Sequence, residues 1–250
     1  MNRKPRPTRR AAICDIAAQV AVYSLFSAAA RAEAVRGGAR GPVQTFVVDV
    51  ESNSAAARAG RLTAPEWGAA LFEAARKVDL AALSSAIDFA RIAASTPFAE
   101  RGVATAPVRL PAFDGVATTV FTKIFAVGRG RAIIPHGHIG MASGHLVLEG
   151  AFRRRQYDRI AIEDDAWIVR QTQDARDTAG DLSWITDERD NIHWLIAEEP
   201  SFTLDFILSP LRPGEDWDVQ NLDIAAAVKM PGGDLRAPKM GVEEALEKYG

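Results

Sequence analysis

Residues 130–150 read GRAIIPHGHIGMASGHLVLEG and hold three of the chain's four histidines, His136, His138 and His145. Side chains alternate across a strand, so His136 and His138, one residue apart, face the same way and can converge on one point. Pro135 and Gly137 permit a bend there without undoing that convergence. A lone histidine on an apolar strand is more often structural. A His-x-His pair in a β setting points instead to a metal, completed by a third ligand from another strand. His193 lies in a later run. His145 turns inward together with Ser143 if their strand continues. Its first reading is a buried, hydrogen-bonded core histidine; a fourth imidazole near the metal, or a proton-transfer group, is the alternative.

The surroundings of this stretch, from about residue 103 to 224, are β-rich. Runs at 116–127, 131–135, 145–149, 166–171, 191–196 and 202–208 carry Val, Ile, Thr and aromatic residues. Gly128-Arg129-Gly130, Glu163-Asp164-Asp165 and Glu198-Glu199-Pro200 separate some of them. Many short strands at such spacing predict a mainly β sandwich or barrel of the jelly-roll type. Arg153-Arg154-Arg155 reads as the solvated edge of a strand rather than an anion site. Met141 and Tyr157 read as core filler and an amphipathic strand residue.

Outside the barrel the pattern changes. Residues 1–36 form a basic leader: Arg3, Lys4, Arg6, Arg9 and Arg10 precede a mostly apolar stretch and small-residue sites such as Ala30-Arg31-Ala32. This is the layout of an export signal, and Thr8-Arg9-Arg10 begins a twin-arginine pattern. Asp15 and Gln19 interrupt the apolar run, which leaves an Ala-rich amphipathic helix as the alternative. The protein is exported on the first reading and cytoplasmic on the second. Residues 37–62 read as a linker with a short strand at 43–50. Residues 63–102 are predicted helical, with Thr63 as cap, Pro65 and Glu66 in the first turn, and a second helix from Asp79 that Pro97 ends. The barrel takes residues 103–230. Residues 231–250 are a tail, a short charged helix or a mobile end.

The composition fits one good-sized globular domain: 250 residues, 48% hydrophobic and 25% charged, which excludes a disordered chain or a coiled coil. Thirty basic and thirty-two acidic residues give a net charge of −2, so no global basic field speaks for nucleic acid. The one cysteine, Cys14, excludes an internal disulfide and a Cys-rich zinc site. No run beyond the leader approaches the roughly 20 apolar residues that span a bilayer, and no stable membrane insertion is expected.

Gly130, His136, His138 and then Gly150 stand at the spacing of the first cupin motif, and this stretch resembles it. Ser143 occupies the position where most metal cupins carry a glutamate ligand. Asp190-Asn191-Ile192-His193 resembles the second motif, with Asp190 where glycine is usual. The resemblance narrows to the thiol dioxygenases, and within them to the plant cysteine oxidases and 2-aminoethanethiol dioxygenase. It is carried by Pro135 to Met141, Leu146 to Gly150, Tyr157-Asp158, Asn191-Ile192-His193 and Leu204-Asp205-Phe206-Ile207-Leu208-Ser209-Pro210, and it covers about residues 60 to 225. Gly137 and Ile139 replace the family's aspartate and proline between and after the ligands. The family's aromatic ending is replaced by Glu215-Asp216-Trp217-Asp218-Val219-Gln220.

The resemblance implies a cupin barrel, a double-stranded β-helix, behind an N-terminal helical segment. It implies Fe(II) held by His136, His138 and His193 with no carboxylate ligand, and Asp205 as a catalytic group orienting substrate or a ligand imidazole. The implied partners are O2 and a small amino-thiol or an N-terminal cysteine, oxidised to a sulfinate. With Ser143 where cysteine dioxygenase carries its crosslinking cysteine, no cysteine–tyrosine crosslink is expected. No arginine stands out as a carboxylate clamp, which favours thiols bearing only an amine. The residues alone leave two other readings open: a three-histidine zinc cupin activating water for hydrolysis or lyase chemistry, and a non-catalytic cupin that binds a small molecule. The strand edges of such a barrel can pair between subunits or be covered by the N-terminal helices.

Overall fold

A computed structural model describes residues 41–113 and 116–250; the leader, with Cys14, lies outside the described residues. Among the described residues four helices precede the strands: α1 (Pro42–Arg58), α2 (Ala64–Ala75), α3 (Leu80–Ala86) and α4 (Phe89–Ser95). Then follow β1 (Ala104–Val108), β2 (Phe121–Val127), β3 (Ala132–Ile139), β4 (Ala142–Glu149), β5 (Ala151–Ile162) and β6 (Ala166–Thr178). The chain continues through β7 (Leu182–Thr186), β8 (Ile192–Ala197), β9 (Ser201–Leu208), β10 (Asp218–Asn221), β11 (Val228–Lys229), β12 (Leu235–Pro238) and α5 (Val242–Tyr249).

The strands form two antiparallel sheets, ordered β1-β2-β9-β4-β7 and β10-β3-β8-β5-β6-β12-β11. This is the mainly β, double-stranded β-helix barrel, with a helical segment before it. Alternation gives each strand of the smaller sheet two jobs. On β2, Ile124 and Ala126 pack outward in one cluster with Trp67, Leu71 and Leu83 of the helices. Phe125 and Val127 point the other way and meet Ile133, Phe152, Leu195 and Ala197 of the larger sheet.

Thr63 caps α2 as expected, in a reciprocal capping box with Glu66. The second predicted helix is broken into α3 and α4 at Asp88, whose φ is 56°. The expected strand at 43–50 is instead the first half of α1. Its valines suggest β structure by propensity, but Phe46, Val47, Val50, Ser54 and Ala57 recur at helical spacing and are all buried. Burial of that stripe outweighs the weak local preference.

Two further expectations are corrected. Arg153, Arg154 and Arg155 do not lie on an edge, because β5 runs between β8 and β6. Arg153 and Arg154 pair across to Asp174 (2.9 Å) and Asp177 (2.6 Å), and Arg155 lies over the Trp194 ring. The boundary at residue 230 falls inside the β11–β12 hairpin. β12 pairs with β6, and α5 packs Ala245 and Tyr249 against Ile134 and Trp194. The tail is therefore part of the barrel wall.

Glu51 ties α1 to the entrance of β2. One of its oxygens accepts the N–H groups of Thr119 (2.5 Å) and Val120 (3.2 Å). Burial is the larger effect and pushes its pKa up to about 7, against those hydrogen bonds and Arg58. A carboxyl raised above its ordinary 4.5 binds its proton more tightly when folded, so stability falls as pH rises from about 4.5 to 7. The full effect is on the order of 3 kcal/mol. Urea unfolding of Glu51→Gln is expected to lose most of this slope and to be more stable than wild type at pH 8. An unchanged slope would remove Glu51 as its source.

Candidate metal centre

Pro135 donates no hydrogen bond, and the pairing of β3 with β8 shifts register between Ile133 and His136. Beyond that shift His136 stands opposite His193 in β8. Alternation then puts His138 on the same face. The ring centroids are 4.4 Å apart for His136–His193, 5.0 Å for His136–His138 and 5.3 Å for His138–His193. The ligand nitrogens of all three lie within 4.8 Å of one another.

His136 Nδ1 lies 2.7 Å from the Ile134 carbonyl oxygen. A carbonyl only accepts, so Nδ1 carries the proton and Nε2 presents a lone pair. That lone pair is 3.0 Å from His193 Nε2. Either His193 donates a proton there or a cation faces both nitrogens. Two imidazole nitrogens bound side by side to one ion, each at about 2.0–2.1 Å, stand about that far apart. Burial lowers the pKa of His136 to about 4 and puts His138 and His193 well below the ordinary histidine value, with charge repulsion among them adding to it. All three are neutral at pH 7, the form that ligates. His138 Nδ1 is buried without a hydrogen-bond partner. The residues fit a divalent transition metal, and three histidines can hold one; the donor set does not choose the ion.

The frame around the ligands is hydrogen-bonded. The His138 carbonyl accepts from Asn191 Nδ2 (2.6 Å) and Arg159 Nη1 (3.0 Å), and Arg159 also reaches Asp187. Asp190, at the usual glycine position, has φ 50°, a left-handed conformation that aspartate tolerates better than most residues. Its carboxylate accepts from Thr172, and its N–H donates to Asp158. Gly140 turns β3 into β4 with φ 63°, and a Cβ there would lie 2.2 Å from the Asp216 carbonyl oxygen. Gly137 has a different reason. An added Cβ would sit 2.2 Å from Trp167 Cζ3 and 2.9 Å from Asn191 Oδ1. Glycine at 137 is thus a packing requirement of this chain.

The histidines open onto a cavity of about 630 Å³. Phe121, Phe125, Ile133, Met141, Ile207 and Trp217 line much of it, and Gly241, Val242 and Glu243 of the C-terminal segment also reach it. Across from the three histidines, the smaller sheet contributes a row in register. Lys123 of β2 stands opposite Asp205 of β9, and Asp205 stands opposite His145 of β4.

Asp205 is buried in mid-strand, with Oδ1 unpaired and 3.6 Å from His145 Nε2. His145 is held down to about pKa 3, first by burial, so this contact is not an ion pair. His145 Nδ1 has Thr203 Oγ1 at 3.5 Å, and its ring lies 5.0 Å from that of His193. His145 is therefore a buried core histidine that also lines the cavity. Tyr157 packs with Trp167 and Ile192 in a separate cluster. Lys123 escaped the sequence reading. Its signal was the alternation Phe121, Lys123, Phe125, a charge on the inward face of an aromatic strand.

No protein-family model matches the chain, and no curated protein matches it. Solved structures are similar in architecture. KdgF from Halomonas sp. is 20% identical, with a TM-score of 0.30 over 42% of this chain and 77% of that one. A cupin superfamily protein from Desulfitobacterium hafniense is 16% identical, with a TM-score of 0.32 over 47% and 86%. A double-stranded β-helix protein from Klebsiella pneumoniae subsp. pneumoniae is 12% identical, with a TM-score of 0.34 over 51% and 92%. Likeness at this level brings no chemistry to this chain.

Proposed function

We propose that the protein is an Fe(II)-dependent thiol dioxygenase, adding O2 to the sulfur of a small amino-thiol or an N-terminal cysteine to give a sulfinate. The observation that carries this reading is the cluster of three neutral imidazoles, with no carboxylate among them, facing a mostly apolar cavity. When bound, Fe(II) supplies the redox chemistry that passes both atoms of O2 to a thiolate sulfur, the substrate giving the electrons. Three uncharged ligands leave the ion's charge uncompensated, which favours a thiolate over a thiol. Phe121, Phe125, Ile207 and Trp217 exclude water. Asp205 is the catalytic carboxylate: its unpaired Oδ1 accepts a hydrogen bond from substrate. Burial raises its pKa to about 7, which suits it to take the thiol proton near neutral pH.

The test is anaerobic loading with Fe(II), then O2 uptake with cysteamine, cysteine, 3-mercaptopropionate and Cys-initiated peptides. Uptake with at least one of them is expected, and mass spectrometry should show the product gaining two oxygen atoms. Tight zinc binding with no O2 uptake on any thiol would sink the proposal.

A further inference from the structure

Among the described residues Lys123 is the one lysine or arginine lining the cavity, beside the acids Asp205, Asp218 and Glu243. Its Nζ lies 4.4 Å from the centre of the Phe125 ring, which holds it against the wall. Although Lys123 stands in register with Asp205, no hydrogen bond or ion pair within 4 Å is formed by its ammonium among the described residues. Asp205 Oδ1 is likewise buried and unpaired. A poorly solvated ammonium has three donors and is costly to leave without an acceptor. Here the donors border a cavity whose far wall carries the three histidines. Asp205 interacts with Lys123 through space, but no acceptor fills the hydrogen-bonding capacity of the ammonium, which an anionic group on a ligand would do.

We infer that Lys123 anchors a carboxylate of the substrate, so that the cavity takes a carboxylate-bearing small molecule whose reactive end faces His136, His138 and His193. This rests on the proposed dioxygenase reading for the reactive end and refines its substrate class. It reverses the preference for amine-only thiols that the lack of a suitable arginine suggested. Phe125 and the register with Asp205 position the ammonium. A lysine serves here as a point charge, without the two-pronged geometry of a guanidinium.

The test is calorimetric titration of the Zn(II)-loaded full chain, with 3-mercaptopropionate, propionate and cysteamine as probes. Zinc holds the site without redox chemistry. Wild type is expected to bind 3-mercaptopropionate more tightly than cysteamine and to bind propionate measurably. Lys123→Met should weaken both carboxylates by roughly 10–100-fold and leave cysteamine unchanged, while Lys123→Arg retains part of the preference. Thermal melts check that each variant is folded. If Lys123→Met fails to fold, the wild-type preference and Lys123→Arg decide. Equal carboxylate binding by Lys123→Met, or tighter binding of cysteamine by wild type, would overturn the anchor. Lys123-dependent carboxylate binding without thiol oxidation by the Fe(II) protein keeps the anchor and removes the dioxygenase reading. Thiol oxidation indifferent to Lys123 does the reverse.

Discussion

His193→Ala is expected to purify without stoichiometric metal and to show no O2 uptake on any thiol after Fe(II) loading. Its effect should be at least the roughly 10–100-fold loss of metal affinity typical of changes one shell further out, because it removes a ligand itself. His193 Nε2 faces the one lone pair of His136 whose direction is set by a hydrogen bond. Among the described residues only His136, His138 and His193 bring their ligand nitrogens within 4.8 Å of one another, and His145 Nε2 lies instead 3.6 Å from Asp205 Oδ1.

Thermal melts give a second measure that does not depend on activity. A ligand at a hundred times its Kd stabilises the native state by about 2.7 kcal/mol. For a chain of this size that raises Tm by about 5–10 °C. Wild type should show this shift with Fe(II) or Zn(II), His145→Ala should keep most of it, and His193→Ala should lose it. Unchanged metal content in His193→Ala would mean that the ligand set is wrong and that His145 belongs to it.

Placing an aspartate between His136 and His138 by Gly137→Asp is expected to destabilise the fold by on the order of 3 kcal/mol or more. The side chain would leave the sheet on the face away from the three histidines. There Trp167, 1% exposed, fills the space. The Arg159 guanidinium lies 5.3 Å from the centre of that ring, and the same arginine holds the His138 carbonyl. The indole cannot retreat without disturbing the frame of a ligand. The new carboxylate would also face Asn191 Oδ1, a buried acceptor that already lacks a partner. Urea unfolding of Gly137→Ala, Gly137→Asp and the double variant Gly137→Ala/Trp167→Leu separates the terms. The smaller residue at 167 should recover much of the alanine cost, and additive effects would show that the ring is not the obstacle.

Several features were legible because their causes are local. The one-residue spacing of His136 and His138 needs only the two-residue period of a strand. The capping box of Thr63 and Glu66 needs only three residues. The runs that became β6, β8 and β9 carry their β character in their own side chains. The sequence reading of residues 43–50 failed for the opposite reason. Their valines suit a strand, and a buried face that only distant residues provide makes them a helix.

By itself the sequence determined a mainly β barrel behind helices and a His136–His138 pair on one strand face, since alternation is a property of neighbouring residues; His193 entered only through the resemblance. Only the tertiary structure decided that Arg153–155 lie on an inner strand, that β12 and α5 complete the wall, and that Trp167 requires a glycine at 137. It also decided that Lys123, Asp205 and His145, as many as 82 positions apart, stand side by side across three strands. Strand order and register arise from pairing between distant segments, and no local pattern encodes which segments pair.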